Sequence, residues 1–306
     1  MLVAMCMGFA SGLPLLLTKS TLQAWMTDAR VNLAVIGFFA LVAIPYSFKF
    51  VWAPFFDRYV PPFWGRRRGW MLLTQVGLML SIAGLACTSP QDNAWLVALL
   101  AVVVAFCSAS QDILVDAYRR ESLQDDELGL GSTLYVLGYR VAMLVSGGLA
   151  LYLADHVSWR AVYLLMAGMV SVGLLTTFLC AEPEVEASPP MSMLQAFLHP
   201  LVEFFQRPGA LLILLFILFY KLGDTMAGGL TTNFYMGIGY TKTEIAAIAK
   251  TFGFFSAIAG GLTGGVIMLR IGMNRSLWIF GVLQAVVILL FAGLANVPHN
   301  TSSWPV

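Results

Sequence analysis

Residues 94–120 read AWLVALLAVVVAFCSASQDILVDAYRR. The part from 94 to 107 carries no charge, and a spanning helix needs about 20 consecutive, mostly apolar residues, so this stretch reads as a membrane span that ends in two carboxylates, Asp112 and Asp116. Further apolar runs of that size are centred near residues 14, 43, 79, 142, 170, 219, 256 and 286, separated by Pro- and charge-bearing segments of loop length. Composition agrees with them. Hydrophobic residues make up 59% of the chain, charged residues 11%, and the mean hydropathy is +0.82, outside the range of ordinary soluble domains. The runs are too long for barrel strands, which alternate over about ten residues. The fold class is therefore all-α, a polytopic membrane protein with about nine transmembrane helices.

Basic residues near span ends are retained on the cytoplasmic side. Arg58, Arg66, Arg67, Arg68, Arg119, Arg120, Arg207, Arg270 and Arg275 fall on one side of this topology, and Arg30, Arg160 and Lys242 on the other. The bias predicts a multi-pass protein with a cytoplasmic N-terminus. The opening run has no basic leader and no A-x-A site, so it is taken as the first span rather than a signal peptide. A formal net charge of +1 argues against a nucleic-acid partner.

Little in the sequence suggests covalent chemistry. Cys6, Cys87, Cys107 and Cys180 are scattered one to a span without a CxxC pair and read as small buried apolar side chains. His156, His199 and His299 share no ligand spacing, so no metal site is expected. The segment GGLTGG at 260–265 lacks the Lys-Ser/Thr of a phosphate loop. It predicts close helix packing through Gly260 and Gly264, or Gly261 and Gly265. No G-x-S-x-G elbow and no Ser/His/Asp set supports hydrolysis. The expected protein is a transporter, not an enzyme, with no cofactor beyond a proton gradient. An assembly factor of the membrane is a third reading, but it would not need ionisable residues paired across spans.

Internal repetition narrows the architecture. The loop after span two reads DRYVPPFWGRRRGW from Asp57, and the loop six spans later reads RIGMNRSLW from Arg270. Short basic loops recurring at that offset are what two parallel-related six-helix halves produce, the architecture of the major facilitator superfamily. The first loop resembles that superfamily's signature G-x-x-x-D-R-x-G-R-R, with Asp57, Arg58, Gly65, Arg66 and Arg67 in place, extra residues between D-R and G-R-R, and Ala53 or Pro54 where the first Gly would stand. The resemblance implies a conformational latch made by Asp57, Arg58, Arg66 and Arg67. Residues 1–181 are expected to form the N-terminal six-helix half. Residues 182–208 are read as a cytoplasmic linker, Pro-rich in EPEVEASPP and then an amphipathic surface helix bent at Pro200. Residues 209–306 then supply a partial C-terminal half of three helices, so the chain is expected to be truncated from twelve spans to nine.

A charge at the centre of a spanning helix costs about 2.5–3.5 kcal/mol, so such residues face a cavity or a partner. Asp112 and Asp116 lie one turn apart on one helix face, and one of two adjacent carboxylates can hold a proton and carry it across. Lys49, Arg140 and the i,i+3 pair Lys221 and Asp224 are the candidate counter-ions. Gln23, Gln111, Tyr46, Tyr139 and Asn233 are candidate substrate contacts, able to offer hydrogen bonds or ring faces to a sugar.

The blocks GFASGLPLLLT (from Gly8), TLQAWM, FKFVWAPFFDRY, PPFWGRRRGW, AFCSASQDILVDA, LGYRVAMLVSGGLALYLAD, YKLGD and LTTNF together resemble the muropeptide permease (AmpG) family, from about Gly8 to Asn296. Lys19 departs from that pattern, in which a small residue is expected in the first span. The resemblance implies proton-coupled import of anhydro-muropeptides, the disaccharide-peptide fragments of peptidoglycan turnover, across the inner membrane of Gram-negative bacteria, with a consequence for β-lactamase induction. It implies a muropeptide substrate, protons and the lipid bilayer as partners, and a monomer. A major facilitator carrying another organic solute, a sugar or a drug, is the alternative that composition does not separate.

Overall fold

The structure is a computed structural model that describes residues 1–183, 192–222 and 253–294; all regular structure in those residues is helical. The chain forms two compact units, Met1–His199 and Pro200–Val306. The first contains six helical stretches long and apolar enough to cross a membrane: Leu2–Asp28, Ala34–Val51, Arg66–Ala86, Ala94–Ser122, Leu128–Ala154 and Trp159–Leu179. They coincide with the first six apolar runs of the sequence. In the second unit only Met273–Leu290 qualifies outright, and a pair of helices, Pro200–Gln206 and Ala210–Leu222, qualifies together but is bent by 102°. The described residues thus hold seven spans, or eight with the bent pair, rather than the nine expected. Helix Phe255–Ile271 is apolar but shorter than a full span, and residues 223–252 lie outside the described residues.

Several spans are broken where the sequence dictates. Span one comprises α1 (Leu2–Leu17) and α2 (Ser20–Asp28), with Pro14 inside α1 and a break at Thr18–Lys19. Span two contains α3 (Leu33–Phe38), a 3₁₀ segment Phe39–Ala43, α4 (Ile44–Phe48) and a second 3₁₀ segment Lys49–Val51, and is followed by α5 (Ala53–Arg58). Pro45 and Pro54 occupy the first turns of α4 and α5, where a missing N–H costs nothing. Spans three and four are the unbroken helices α6 (Arg66–Ala86) and α7 (Ala94–Ser122). Span five runs through α8 (Leu128–Met143), a π-helical stretch Leu144–Leu149 and α9 (Ala150–Ala154), and span six through α10 (Trp159–Met169) and α11 (Ser171–Leu179). The second unit contributes the last turns of α12 (Met193–Gln206), then α13 (Ala210–Leu222), α14 (Gly253–Ile271) and α15 (Met273–Leu294).

Bilayer helices gain little from hydrophobic association and pack through small residues instead. A Cβ at Gly8 or Gly12 of α1 would overlap the backbone carbonyls of Tyr135 and Tyr139 on α8, and one at Gly138 would overlap the Met5 carbonyl. This contact draws span five against span one. α6 and α7 share a buried apolar seam that includes Leu78, Ile82, Leu85, Val97 and Val104, and Trp25, Trp159 and Tyr163 close one end of the unit.

Three local expectations are corrected. In GGLTGG, a Cβ at Gly260 would have open space around it and one at Gly264 would make only an ordinary contact with Phe280, so the Gly260–Gly264 pair makes no close packing among the described residues. Pro200 sits inside α12, and the sharp turn comes after Gln206, where Gly209 adopts φ +83°. Of the cysteines only Cys180 is buried; Cys87 is exposed because it caps the end of α6.

Candidate functional site

α7 carries Ser108, Gln111 and Asp112 on its buried faces, in the middle of the first unit. The Asp112 Oδ2 lies 4.0 Å from the Lys49 Nζ, with the two side chains 12% and 37% exposed. Lys49 reaches it because the helix of span two ends at Phe48 and resumes at Ala53, which places the lysine at a joint between two prolines. Among the described residues no donor stands in full hydrogen-bond geometry to the buried Asp112 Oδ1, and the Ser11 hydroxyl adjoins the carboxylate. Around it both ends of the Gln111 amide are likewise buried without a partner among the described residues, and the Tyr46 hydroxyl adjoins those of Ser108 and Thr18. Ser11, Tyr46, Tyr135 and Tyr139 adjoin the carboxylate electrostatically from α1, α4 and α8. Buried polar atoms are ordinarily paired. Buried polar atoms around an ion pair inside the spans can exchange partners when the charge of that pair changes.

The other candidates are distributed unevenly. Asp116 does not share the setting of Asp112: it is exposed and pairs with Arg119 three residues on, at 3.1 Å, while the Arg119 guanidinium stands over the Tyr135 ring. No ion pair joins Arg140 to either carboxylate among the described residues. Tyr46 and Tyr139 stand beside Asp112, whereas Gln23 is exposed on α2 and its carbonyl accepts a hydrogen bond from Thr27. Lys221 lies in the last turn of α13 in the second unit; Asp224 and Asn233 lie outside the described residues.

A second cluster forms where α5 leads into α6. Arg67 is 5% exposed and donates from Nη1 to Asp57 at 2.8 Å, from Nε to Glu121 at 2.8 Å, and from Nη2 to the other Glu121 oxygen. Arg66 lies 3.4 Å from Glu121. Arg58 stays apart, its guanidinium over the Tyr59 ring. The Glu182 carboxylate accepts the backbone N–H of Arg67 at 2.7 Å and of Arg68 at 2.9 Å, capping α6, and Arg68 donates to the carbonyls of Thr177 and Phe178. The loop therefore ties the ends of spans two, three, four and six into one knot.

The Major Facilitator Superfamily profile matches residues 1–306. The chain belongs to the major facilitator superfamily. It is 49% identical over 284 residues to the anhydromuropeptide permease of Escherichia coli K12, an alignment covering 92% of this chain and 58% of that protein. It is 45% identical over 304 residues to an uncharacterized protein of Haemophilus influenzae, covering 98% and 72%, and 33% identical over 304 residues to the putative transporter AmpG 4 of Rickettsia felis, covering 96% and 73%. The chain thus spans less than two thirds of the length of the E. coli relative.

Within this superfamily member the sequence missed Glu121 and Glu182. Glu121 follows Arg119 and Arg120 and reads as one more charge at a span end; Glu182 sits in a polar run and reads as linker. The one available signal was the excess of arginine at 66–68, which calls for carboxylates without saying which. Ser11 and Ser108 were missed for a similar reason, since a serine in an apolar helix usually satisfies itself on its own backbone.

Proposed function

We propose that the protein imports anhydro-muropeptides across the bacterial inner membrane, coupled to protons, by alternating access of its two halves, with the N-terminus in the cytoplasm. The observation that carries the coupling is the Asp112–Lys49 pair, held at 4.0 Å inside the first unit and surrounded by buried polar side chains. The cargo is suggested by the likeness to the E. coli anhydromuropeptide permease. Protonation of Asp112 cancels the attraction that holds Lys49, which stands at the joint between α4 and α5 and so acts on the geometry of span two. One proton entering with a neutral cargo gains about 2.3 kcal/mol per 100 mV, which at about 1.36 kcal/mol per decade supports roughly fifty-fold accumulation. The cluster of Asp57, Arg66, Arg67, Glu121 and Glu182 serves as the latch that holds the span ends in register while the protein changes access.

The test is uptake of labelled anhydro-muropeptide into right-side-out vesicles, with and without an uncoupler. Uncoupler-sensitive uptake that Asp112→Asn abolishes is the expected result. Full proton-dependent uptake by Asp112→Asn would remove Asp112 from the coupling step, and no uptake by the correctly inserted parent protein would remove the cargo assignment.

A further inference from the structure

The ion pair is not the sole tie between span two and α7. Three residues after Lys49, the Trp52 indole N–H donates to the Ser110 hydroxyl on α7 at 3.0 Å. The same ring packs on Phe106, one turn before Ser110, with ring centres 4.9 Å apart. Ser110 is fully buried. Ser110 and Asp112 are two residues apart, and side chains so spaced do not share a helix face. Trp52 and Lys49 therefore hold α7 on different flanks.

The backbone between these contacts has few bonds of its own. Lys49–Val51 is a single 3₁₀ turn, a geometry with poorer hydrogen bonds than an α-helix. Pro54, in the first turn of α5, has no N–H to offer the Phe50 carbonyl, so α-helical bonding is interrupted at the joint. Trp52 bridges the gap. Its backbone N–H donates to the Lys49 carbonyl, and its carbonyl accepts the Phe55 N–H at 3.0 Å. Lys49 is thus tied to α5 through the backbone of Trp52, and the place of Trp52 on α7 is set by its indole. At 4.0 Å the Asp112–Lys49 pair is longer than the roughly 2.7–2.9 Å of a charge-assisted hydrogen bond, so it does not fix the joint by itself.

We infer that Trp52 is a positioning residue for the Asp112–Lys49 pair: its bond to Ser110 fixes the joint of span two so that Lys49 stands at Asp112, and it remains as the pivot when the pair opens. This rests on the coupling reading above and adds the residue that makes the coupling tight. With the pivot made, span two turns only when protonation of Asp112 frees Lys49. With the pivot lost, the joint shifts on α7 while Asp112 is still ionised, and cargo crosses without a proton. Neither Trp52 nor Ser110 carries the proton; the indole and the hydroxyl keep theirs throughout.

The experiment measures the steady-state accumulation of labelled anhydro-muropeptide in energised right-side-out vesicles holding the protein. That level depends on how tightly entry is tied to the proton, whereas the number of working carriers changes only the time taken to reach it. Trp52→Phe keeps a ring against Phe106 and removes the N–H; Ser110→Ala removes the acceptor with a smaller change. Each is expected to lower accumulation about 3- to 10-fold, the range that one neutral hydrogen bond supports. The double variant is expected to fall no further than either single one, because both remove the same bond. Ser110→Thr, which keeps a hydroxyl, is expected to accumulate as the parent does. Parent-level accumulation by Trp52→Phe or by Ser110→Ala, however slowly reached, would make the bond merely structural and overturn the inference. So would losses that add in the double variant. Failure of the unsubstituted protein to accumulate the probe above the level reached with an uncoupler would overturn the coupled-import reading and this inference together, which separates that result from the other two.

Discussion

Replacing Arg67 by Met removes a guanidinium that is 7% exposed and bonded to carboxylates from two other segments, while leaving a side chain able to fill the same space. Breaking a buried ion pair by deleting one partner costs about 3–5 kcal/mol, because the remaining charge stays desolvated. Here the two carboxylates differ. Asp57 is 47% exposed and rehydrates in place, whereas Glu121 is 19% exposed and keeps only the 3.4 Å contact with Arg66. The loss therefore falls near the lower end, about 3 kcal/mol. Arg66→Met leaves Glu121 bonded to Arg67 and is expected to cost about 0.5 kcal/mol. The double variant Arg67→Met/Glu121→Met removes both buried charges and is expected to be less damaging than Arg67→Met alone by about 1 kcal/mol or more, since no unpaired buried carboxylate then remains. Reversible unfolding of the purified protein in mixed detergent micelles reads all three. If Arg67→Met were no worse than Arg66→Met, or if the double variant lost the sum of its single losses, the cluster would not be a desolvated network and its role as a latch would lose its energetic basis.

Two further perturbations probe the frame around the site. Gly138→Val places side-chain atoms against the Met5 carbonyl and is expected to destabilise the first unit by about 1–3 kcal/mol; the same unfolding assay checks it, and stability equal to the parent would mean that α1 and α8 are not held at backbone contact. Glu182→Ala uncaps α6 by removing the acceptor of the Arg67 and Arg68 amides and is expected to cost about 1 kcal/mol. Gly65→Ala should match or exceed it, because Gly65 has φ +82° and a Cβ there would strike the Glu182 carboxyl group; a neutral Gly65→Ala would contradict the seating of Glu182.

The amino-acid sequence by itself determined the solvent of this protein and the first six spans, because about twenty apolar residues in a row have one inexpensive solution in a bilayer, a helix with all its backbone groups paired. It also determined that Asp112 needs a partner or a cavity, since the cost of an intramembrane charge depends on the residue and the depth alone. The match to the major facilitator superfamily, over residues 1–306, was legible in the basic loop from Asp57 and its six-span recurrence. Which charges meet was not legible. Asp112 and Asp116 share a helix face in sequence, yet one is buried beside Lys49 and the other is exposed beside Arg119, and that difference comes from the helices packed around each position. Glu121 and Glu182 joined the arginine cluster only through contacts 54 and 115 residues apart along the chain. Local pattern fixes where the backbone satisfies itself; the pairing of side chains from different spans depends on how closely the backbones approach, and Gly8, Gly12 and Gly138 set that distance only once the helices are brought together.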